Sequence, residues 1–442
     1  MSLSRALRDS SETLPANTDR FLEHVPNEWL NAAAELSSQV TIRRRRLPSD
    51  QVMWLVLGMA FFRNKPIAEV ARSLNISADG LANEQMLAKS ALTQARQRLG
   101  AEPMQCLFQQ SGKHWGVERY PQDDWHGLQV FAVDGALFRT PDSTELRSHF
   151  GSGNTSTDRQ TPFPMLRCVA LMNVRSHVIV DACISPYRRG EVPLAMPLIH
   201  KLPDHSITLL DKGFYSADLL VSLASSGVDR HWLLPARKGL VSTVVEDYGA
   251  GDRLVEMKVS PQARKKNPSL PESWCARAIT YEVEGKEKTV FTSLPASVYT
   301  AKAIAELYHQ RWEIELGFRD IKSSMLDNAI VLRSKTPALV YQELWGLLLA
   351  YNLIRREASQ AAVEHKRAPQ EISFKFACQF IAAELISLSN NPSPGTTGRR
   401  LADLRGSLGM LFKENRPRPS RPRSVKLSKT RYPVNRNAAP LK

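Results

Sequence analysis

The spacing of apolar residues along the chain predicts helical regions on both sides of a mixed centre. In the first region, Pro66 is expected to open a helix over Ile67–Leu74, and a second helix covers Ser90–Gly100. In the last region, Pro337 opens a helical stretch that continues to about residue 410. The predicted regions are residues 1–120 (helical), 125–330 (mixed), 331–412 (helical) and 413–442 (a polar tail).

The central region alternates between strand and helix patterns, which is typical of an α/β fold. The predicted order is β-β-β-α-β-α-β, and the second and third strands form a hairpin around Asn173–Ser176. Residues from about 237 to 300 alternate like further small strands and predict a β-rich insertion. The predicted strands are Leu128–Val133, Met165–Met172, His177–Ile184, Ser206–Leu210 and Arg230–Pro235, and the predicted helices are Glu191–Leu202 and Ser216–Ser226.

Composition indicates a folded, strongly basic protein. The chain has 442 residues with 43% hydrophobic residues, enough for several domains, and a net charge of +15. Such a charge predicts a polyanionic partner, either nucleic acid or an acidic membrane surface, although a merely basic protein remains an alternative. The longest apolar stretch, Leu344–Ile354, is shorter than the ~20 residues of a membrane helix and predicts a buried core helix.

Neither a signal peptide nor a cysteine framework is predicted. The N-terminus is polar, and the five cysteines are scattered without a C-x-x-C pair. We therefore expect a cytoplasmic protein that does not bind to membranes.

Basic residues are concentrated in the tail. Residues 413–442 carry ten basic residues against a single acid, which leaves a net charge of +9, more than half of the total of +15. Several prolines in the same segment predict that it has no core of its own and is disordered when unbound. The tail is expected to be an arm that contacts a phosphate backbone, and a plain solubilising tail is the alternative. The run Arg43–Arg46 could bind phosphates or be a solvated linker.

The two predicted N-terminal helices resemble a helix-turn-helix reader of DNA. The second helix carries Gln94, Arg96 and Arg98, which are residue types that contact bases and phosphates. Any solvated helix pair would give the same pattern, so DNA contact and no contact both remain open here.

Two aspartates follow predicted strands of the central region. Asp134 ends the first strand and Asp211 ends the fourth, and each is followed within two residues by a glycine, Gly135 or Gly213. If these two strands are parallel neighbours, the aspartates meet at the carboxyl edge of the sheet. The glycines would let a backbone or a ligand approach closely.

A glutamate on the following helix completes the set. At ~100° per residue, Tyr308, Arg311, Glu315 and Lys322 fall on one face about 60° wide, whereas Glu313 and Asp320 fall on the opposite side. This periodicity selects Glu315 as the acid that faces the aspartates. An exposed helix with i,i+4 ion pairs, such as Arg311 with Glu315, is the alternative interpretation.

Three carboxylates in these settings predict a site for hard divalent cations such as Mg²⁺ or Mn²⁺. Two such ions can stabilise the attacking and the leaving oxygen of a phosphodiester. No P-loop, G-x-G-x-x-G turn or Ser-His-Asp arrangement competes with this chemistry in the sequence. The prediction is therefore an enzyme that cuts and joins nucleic acid.

The sequence resembles the DDE transposases of the insertion-sequence-four family, which bacterial mobile elements encode. The resemblance covers residues from about 40 to 410, and the Tyr-x2-Arg-x3-Glu-x6-Lys signature of Tyr308, Arg311, Glu315 and Lys322 is its most specific part. The other matching segments are Phe131–Gly135, Leu210–Tyr215, Leu332–Lys335, Glu343–Leu353 and Gln94–Gly100.

The resemblance implies a ribonuclease-H-like catalytic core with a β-rich insertion between the second Asp and the Glu. It implies cut-and-paste movement of an insertion sequence between terminal inverted repeats, by phosphodiester hydrolysis and transesterification. Asp134, Asp211 and Glu315 would be the catalytic metal ligands for two Mg²⁺ ions, with Mn²⁺ as a substitute. Tyr308, Arg311 and Lys322 would contact the DNA backbone.

The resemblance also implies partners. The protein would bind double-stranded DNA, both element ends and target, as a homodimer in a synaptic complex at the bacterial nucleoid. The resemblance further implies that an aromatic residue holds a DNA base that is flipped out of the duplex. It does not identify this residue, for which Trp232, Trp274 and Trp312 are the options. Two other functions remain open: a DNA-binding protein without catalysis, and a metal nuclease that cuts without strand transfer.

Deletion of residues 413–442 is expected to weaken DNA binding and to flatten its salt dependence. Each lost phosphate contact reduces the slope of log K against log salt concentration by about 0.9. Fluorescence anisotropy with labelled duplex DNA between about 50 and 200 mM salt measures this slope. An unchanged slope would show that the tail makes no electrostatic contribution.

Overall fold

The computed structural model describes residues 26–36, 47–76, 88–120, 124–156, 159–237, 239–283, 285–389 and 397–413. The predictions for Arg43–Arg46 and for residues 414–442 of the tail lie outside these ranges. Lys413, the first residue of the predicted tail, belongs to the folded part, where its backbone N–H donates to the carbonyl of Glu371.

Helices make up the first part of the described chain, as predicted. Pro66 precedes the third helix, so its fixed backbone angle opens this helix as the sequence indicated. These helices are α1 (Asn27–Glu35), α2 (Ser49–Phe61), α3 (Ile67–Ser73), α4 (Lys89–Leu99) and α5 (Glu102–Trp115).

Arg96 on α4 faces the protein interior and not a DNA groove. Its side chain is 5% exposed, and it donates to Gln342 Oε1 at 2.8 Å and to Ser334 Oγ at 3.0 Å. Burial lowers its pKa to about 10, which shows how far its guanidinium is removed from water. This arginine therefore joins the N-terminal helices to the C-terminal region, and it is not a residue of a helix-turn-helix reader.

The described residues at the centre of the chain form eleven strands and several short helices. The strands are β1 (Gln129–Arg139), β2 (Asn154–Ser156), β3 (Arg159–Gln160), β4 (Met165–Asn173), β5 (Ile179–Pro186), β6 (Ser206–Leu210), β7 (Arg230–Pro235), β8 (Thr243–Gly249), β9 (Asp252–Lys258), β10 (Ser273–Val283) and β11 (Lys286–Thr292). The helices of this region are α6 (Thr144–Phe150), α7 (Glu191–Ala195), α8 (Ala217–Ser225), α9 (Pro261–Lys266), α10 (Ala301–Tyr308) and α11 (Trp312–Asp320).

Nine of these strands form one sheet, in the order β5-β4-β1-β6-β7-β11-β10-β9-β8. Strand β1 is antiparallel to β4 and parallel to β6, with Val133 opposite Leu210. Strand β6 is in turn parallel to β7. The prediction that the strands preceding Asp134 and Asp211 are parallel neighbours is confirmed.

The strands between residues 243 and 292 continue the same sheet. Phe291 of β11 lies opposite Leu234 of β7 in an antiparallel pair, and β10, β9 and β8 follow in antiparallel order. The alternating residues of this segment thus build strands, as predicted, and these strands are joined edge to edge with the central ones.

The C-terminal helices are α12 (Pro337–Glu364), α13 (Phe374–Ser389) and α14 (Thr397–Leu408). Every residue from Leu344 to Ile354 is buried, so the apolar stretch is a core helix, as predicted. Helix α12 packs against α2 and α5. No helix within the described part of the chain combines the length and the apolar character that a membrane crossing requires.

The sheet separates two apolar clusters. Ala132 and Phe138 of β1 join the cluster that includes α2, α5 and α12, whereas Phe131 and Val133 join the cluster on the side of α7 and α8. Because neighbouring strand residues point to opposite faces, Asp134 shares the face of Ala132, and Gly135 shares the face of Val133.

Two predicted helices are wrong in detail. The segment from Glu191 to Leu202 is not one helix: α7 ends at Ala195, and a 3₁₀ helix, Leu198–Lys201, follows Pro197, whose ring cannot donate the hydrogen bond that would continue α7. The segment from Tyr308 to Lys322 is also not a single α-helix. It passes through a 3₁₀ turn, then α11, and then a π-helical turn at Ile321–Met325.

Gly112 is expected to be required for the packing of α5 on the sheet. A Cβ at this position would lie 1.9 Å from the backbone oxygen of Val180, which β5 holds in place. We expect Gly112→Ala to lower the free energy of unfolding by about 1–3 kcal/mol, as overpacking does.

Gly406→Ala is the matched control, because a Cβ in this part of α14 meets no described atom within 4 Å. Alanine should there stabilise the helix by about 0.5–1 kcal/mol. Urea unfolding of the two variants measures the difference, and equal effects would contradict the close approach of α5 to β5.

Candidate active site

Asp134 lies in β1 just beyond the part of the strand that pairs with β6. The parallel pairing ends at Val133 and Leu210, so Asp134 and Asp211 are the next residues of the two neighbouring segments. The prediction that Asp134 ends the first strand is wrong, because β1 continues to Arg139 through its pairing with β4, in which Asp134 lies opposite Ala170. Asp134 Oδ1 accepts a hydrogen bond from the backbone N–H of Gly135 at 2.8 Å, which fixes the orientation of the carboxylate. Its side chain retains 21% exposure, so the second oxygen remains accessible to a ligand.

Asp211 follows β6 directly and begins a tight turn. It caps the 3₁₀ helix Lys212–Phe214, and its carbonyl accepts from the N–H of Phe214 at 2.9 Å. The ring of Phe214 is buried below the sheet edge and anchors the turn. The sequence-based prediction that the parallel pairing brings Asp134 and Asp211 together therefore agrees with the structure, but only Asp211 lies at the end of its strand.

Tyr308 and Arg311 connect the third acid to these strand ends. The Tyr308 hydroxyl donates to the carbonyl of Leu210 at 3.4 Å, directly before Asp211. Arg311 Nη2 donates to Glu315 Oε1 at 2.6 Å, while its Nη1 lies 4.0 Å from Asp134 Oδ2. One guanidinium thus bridges Asp134 and Glu315.

The other two acids of this segment are engaged elsewhere. Glu313 Oε2 lies 2.8 Å from His177 Nε2, and Asp320 Oδ2 accepts from Arg355 Nη2 at 2.5 Å. Although the segment is not a uniform helix, Glu315 is the acid that points to Asp134, as the periodicity indicated.

The electrostatics of Asp134 reflect a crowded acidic site. Burial raises its pKa to about 6, while the Gly135 hydrogen bond and Arg311 oppose the rise and the charges of Glu315 and Asp211 add to it. The Asp134 carboxylate is therefore close enough to interact with each of the other two acids. A desolvated group of like charges is a site that a cation would stabilise.

The oxygen donors suit a hard divalent cation, but the site is not arranged around one. Among the described residues, no three His, Cys, Asp or Glu side chains are placed to hold a metal ion. Arg311 takes the position between Asp134 and Glu315 instead. The residues present fit such an ion once the guanidinium has moved aside.

Lys322 lies beside β1, in the π-helical turn Ile321–Met325. Its ammonium lies 5.4 Å from the centre of the Phe138 ring, where desolvation and nearby Arg139 lower its pKa. Asp134 acts on it in the opposite direction, so Lys322 belongs to the surroundings of the site without contacting the acids.

Glu191 and Arg167 are two charged residues at the site that sequence reasoning missed. Glu191 begins α7, and its carboxylate pairs with Arg167 Nη1 of β4. A Cβ at Gly135 would lie 2.6 Å from Glu191 Oε1, so the glycine leaves room for this carboxylate. The glycine inside a strand was the available signal, since such glycines mark a close approach.

The tryptophans differ in accessibility. Trp232 and Trp274 are 1% and 8% exposed and lie 5.6 Å apart in the core, whereas Trp312 is 49% exposed. Of these three, only Trp312 is available to stack on a base without rearrangement of the core.

The site brings together two aspartates and a glutamate, the three acids after which the DDE class of DNA-processing enzymes is named. Residues 15–109 match the family model described as the insertion element 4 transposase N-terminal region, and residues 125–353 match the transposase DDE domain. The chain belongs to the insertion-sequence-four family of DDE transposases, enzymes that cleave DNA and transfer its strands.

Two relatives from Escherichia coli strain K12 are similar along almost their whole length. The chain is 37% identical over 428 residues to the putative transposase InsZ, covering 97% of this chain and 94% of the relative. It is 37% identical over 416 residues to the transposase InsG for insertion sequence element IS4, covering 93% of this chain and 92% of that protein.

A solved structure, the piggyBac transposase synaptic complex with hairpin DNA, aligns with 89% of this chain and 83% of its own chain. The TM-score is 0.43 and the sequence identity 13%, which is too low a likeness to indicate a shared fold.

Asp134→Asn is expected to stabilise the metal-free protein at neutral and alkaline pH. The pKa of this carboxyl is about 6 in the folded state against 3.8 as a reference, so the folded state binds more protons between these values. Stability is therefore lost as pH rises through this window, and asparagine removes a cost on the order of 2 kcal/mol.

Urea unfolding in EDTA at pH 8 and at pH 3.5 measures this effect. The gain should be present at pH 8 and absent at pH 3.5, where aspartate is protonated in both states. A variant that is no more stable than the wild type at pH 8 would contradict the electrostatic crowding of the site.

Proposed function

We propose that this transposase excises an insertion sequence at its terminal inverted repeats and joins it to target DNA, with Asp134, Asp211 and Glu315 as the metal-binding catalytic residues. The observation that carries the proposal is the convergence of these acids, in which one guanidinium bridges Asp134 and Glu315 while Asp211 follows the parallel neighbour strand.

The architecture supports a ribonuclease-H-like core. The strand order β5-β4-β1-β6-β7, with three antiparallel strands followed by two parallel ones, agrees with such a core, and β8–β11 form the insertion. We assign residues 125–330 to this catalytic core with its insertion at about 237–300. Residues 1–120 are assigned to a DNA-binding region, 331–412 to a helical region and 413–442 to a basic tail.

The three carboxylates would hold two Mg²⁺ ions, and Mn²⁺ would substitute for them. When bound, such ions make the attacking oxygen more acidic and offset the charge on the leaving oxygen. Asp134 and Asp211 would bind the ions from the sheet, and Glu315 would bind them from the helix above it. The raised pKa of Asp134 favours this use, because a cation would offset the burial of the charged carboxylate and the neighbouring charges of Glu315 and Asp211.

Arg311 would change partners during the reaction. It now neutralises Asp134 and Glu315, and it would be released toward a DNA phosphate when cations take its place. Tyr308 is anchored at Leu210 and holds the start of this segment against the strand end, while Lys322 adds a second positive charge along the DNA path.

The net charge of +15 supports double-stranded DNA as the partner, both the element ends and the target. We assign the working form to a homodimer that holds two ends in a synaptic complex. Its place would be the cytoplasm at the bacterial nucleoid, where its substrate lies.

The test uses purified protein, a supercoiled plasmid and labelled fragments that carry the element boundary. With Mg²⁺, the wild type should cut at the boundary and join the ends to target DNA, whereas Asp134→Ala and Glu315→Gln should bind the ends and reduce cleavage by at least ~100-fold. Glu306→Gln, which alters an exposed acid of α10, is the matched control and should cleave normally.

Three outcomes would contradict the proposal. Equal loss of binding and cleavage in Asp134→Ala would show that this aspartate is structural. Binding without cleavage in the wild type, with both ends supplied, would indicate a DNA-binding protein without catalysis. Cleavage that never produces joined ends would indicate a metal nuclease.

A further inference from the structure

We propose that Glu191 is a positioning residue, which holds the guanidinium of Arg167 away from the carboxylate of Asp211 and so keeps this side of the site open to metal ions. The inference rests on the proposed function, because it concerns the same metal site. It assigns to the Glu191–Arg167 pair a role that the three acids and the Tyr-Arg-Glu-Lys signature do not contain.

The position of Glu191 places its carboxylate against both aspartate-bearing segments. Its Oε1 would be 2.6 Å from a Cβ at Gly135, the residue after Asp134. Its Oε2 lies 3.9 Å from the Cβ position of Gly213, and Asp211 Oδ2 lies at the same distance from that point. The two glycines of the aspartate motifs therefore both border the Glu191 carboxylate.

The packing of α7 on the sheet brings the Glu191 carboxylate to the site from the face opposite Glu315. Helix α7 packs on β4, on β5 and on the 3₁₀ turn after Asp211. Gly135 shares the sheet face of α7, whereas Asp134 points to the opposite face, where Glu315 approaches. Glu191 and Glu315 thus approach the two aspartate segments from opposite faces of the sheet.

Arg167 is a cation that needs a partner. Its side chain is 17% exposed, and its Nε is buried with no hydrogen-bond partner among the described residues. The guanidinium lies 5.7 Å from the ring of Tyr187, and Glu191 is the carboxylate that its Nη1 contacts. A buried charge that loses its counter-charge is strongly unfavourable, so the group would turn to other carboxylates.

Asp211 is the metal-binding acid on this side, since its Oδ2 and Glu191 Oε2 both lie 3.9 Å from the Cβ position of Gly213. Without the charge of Glu191, the Arg167 guanidinium would be drawn toward Asp211 and would compete with a divalent cation for its oxygens. Glu191 therefore contributes by capturing Arg167, in contrast to Arg311, which neutralises Asp134 and Glu315 from the opposite face of the sheet.

The test compares Glu191→Gln, Arg167→Gln and the double variant in the full-length chain. We expect Glu191→Gln to bind end DNA normally but to need about ten times more Mg²⁺ for half-maximal cleavage, a difference of about 1.4 kcal/mol. The double variant should reach half-maximal cleavage at a Mg²⁺ concentration within about threefold of the wild type, because the competing Arg167 guanidinium is gone.

Mn²⁺ binding provides a readout that does not depend on cleavage. Electron paramagnetic resonance counts free Mn²⁺ in titrations of the complex with end DNA, and Glu191→Gln should show a matching loss of affinity. Glu371→Gln, which breaks an exposed ion pair with Arg367, is the control and should match the wild type. Gly135→Ala, whose added methyl displaces the Glu191 carboxylate, should resemble Glu191→Gln while both charges remain.

The outcomes separate this inference from the proposed function. If the wild type cuts with Mg²⁺ and Glu191→Gln needs no more of it, the inference is wrong and the proposed function stands. If the double variant needs as much Mg²⁺ as Glu191→Gln, Glu191 only stabilises the local fold. The claim that it acts by holding Arg167 away from the site is then disproved. If the wild type does not cut in Mg²⁺, the proposed function itself fails.

Discussion

The parallel pairing of β1 with β6 is the constraint on which the site depends. Because Val133 and Leu210 are the last residues that pair β1 with β6, Asp134 and Asp211 lie side by side where β6 ends, although they are far apart in the sequence and β1 itself continues to Arg139. The antiparallel pairing of β1 with β4 and the parallel pairing of β6 with β7 bury both strands inside the sheet and hold this register. A shift of one residue would turn Asp134 to the other face, away from Glu315.

The register brings together charges that are unfavourable in the metal-free protein, and two arginines compensate for them. Arg311 bridges Asp134 and Glu315 on one face of the sheet, and Arg167 pairs with Glu191 on the other. Burial raises the pKa of Asp134 in spite of Arg311, so the guanidinium does not fully offset the loss of solvent around this carboxylate. Stability at this sheet edge is thus lower than packing alone would give, which is common where a site is prepared for a ligand.

Much of the fold could be predicted from the sequence because the determining signals are local. Apolar runs mark the strands, Pro66 opens a helix, and the positions of Glu313 and Asp320 distinguish them from Glu315. Pro197 ends the helical segment that begins at Glu191. This break can be predicted from the sequence, because proline has no backbone N–H to continue the helix.

The remaining features depend on contacts between distant segments. Arg96 resembles a DNA contact in the sequence, but α12 buries it, and the π-helical turn that carries Lys322 has no periodic signature of its own. Glu191 carries no motif. Its role depends on a glycine 56 positions earlier in the chain and on an arginine of a neighbouring strand. Such pairings follow from sheet topology, which residue patterns alone do not specify.

The most direct test of the central claim, that three distant segments form one metal site, replaces Mg²⁺ with Fe²⁺ in the complex with end DNA. With ascorbate and peroxide, the bound ion should cut the polypeptide near residues 134, 211 and 315, and excess Mg²⁺ or Glu315→Gln should suppress all three cuts together. Cuts confined to other segments, or cuts that Glu315→Gln leaves unchanged, would contradict a single site built from Asp134, Asp211 and Glu315.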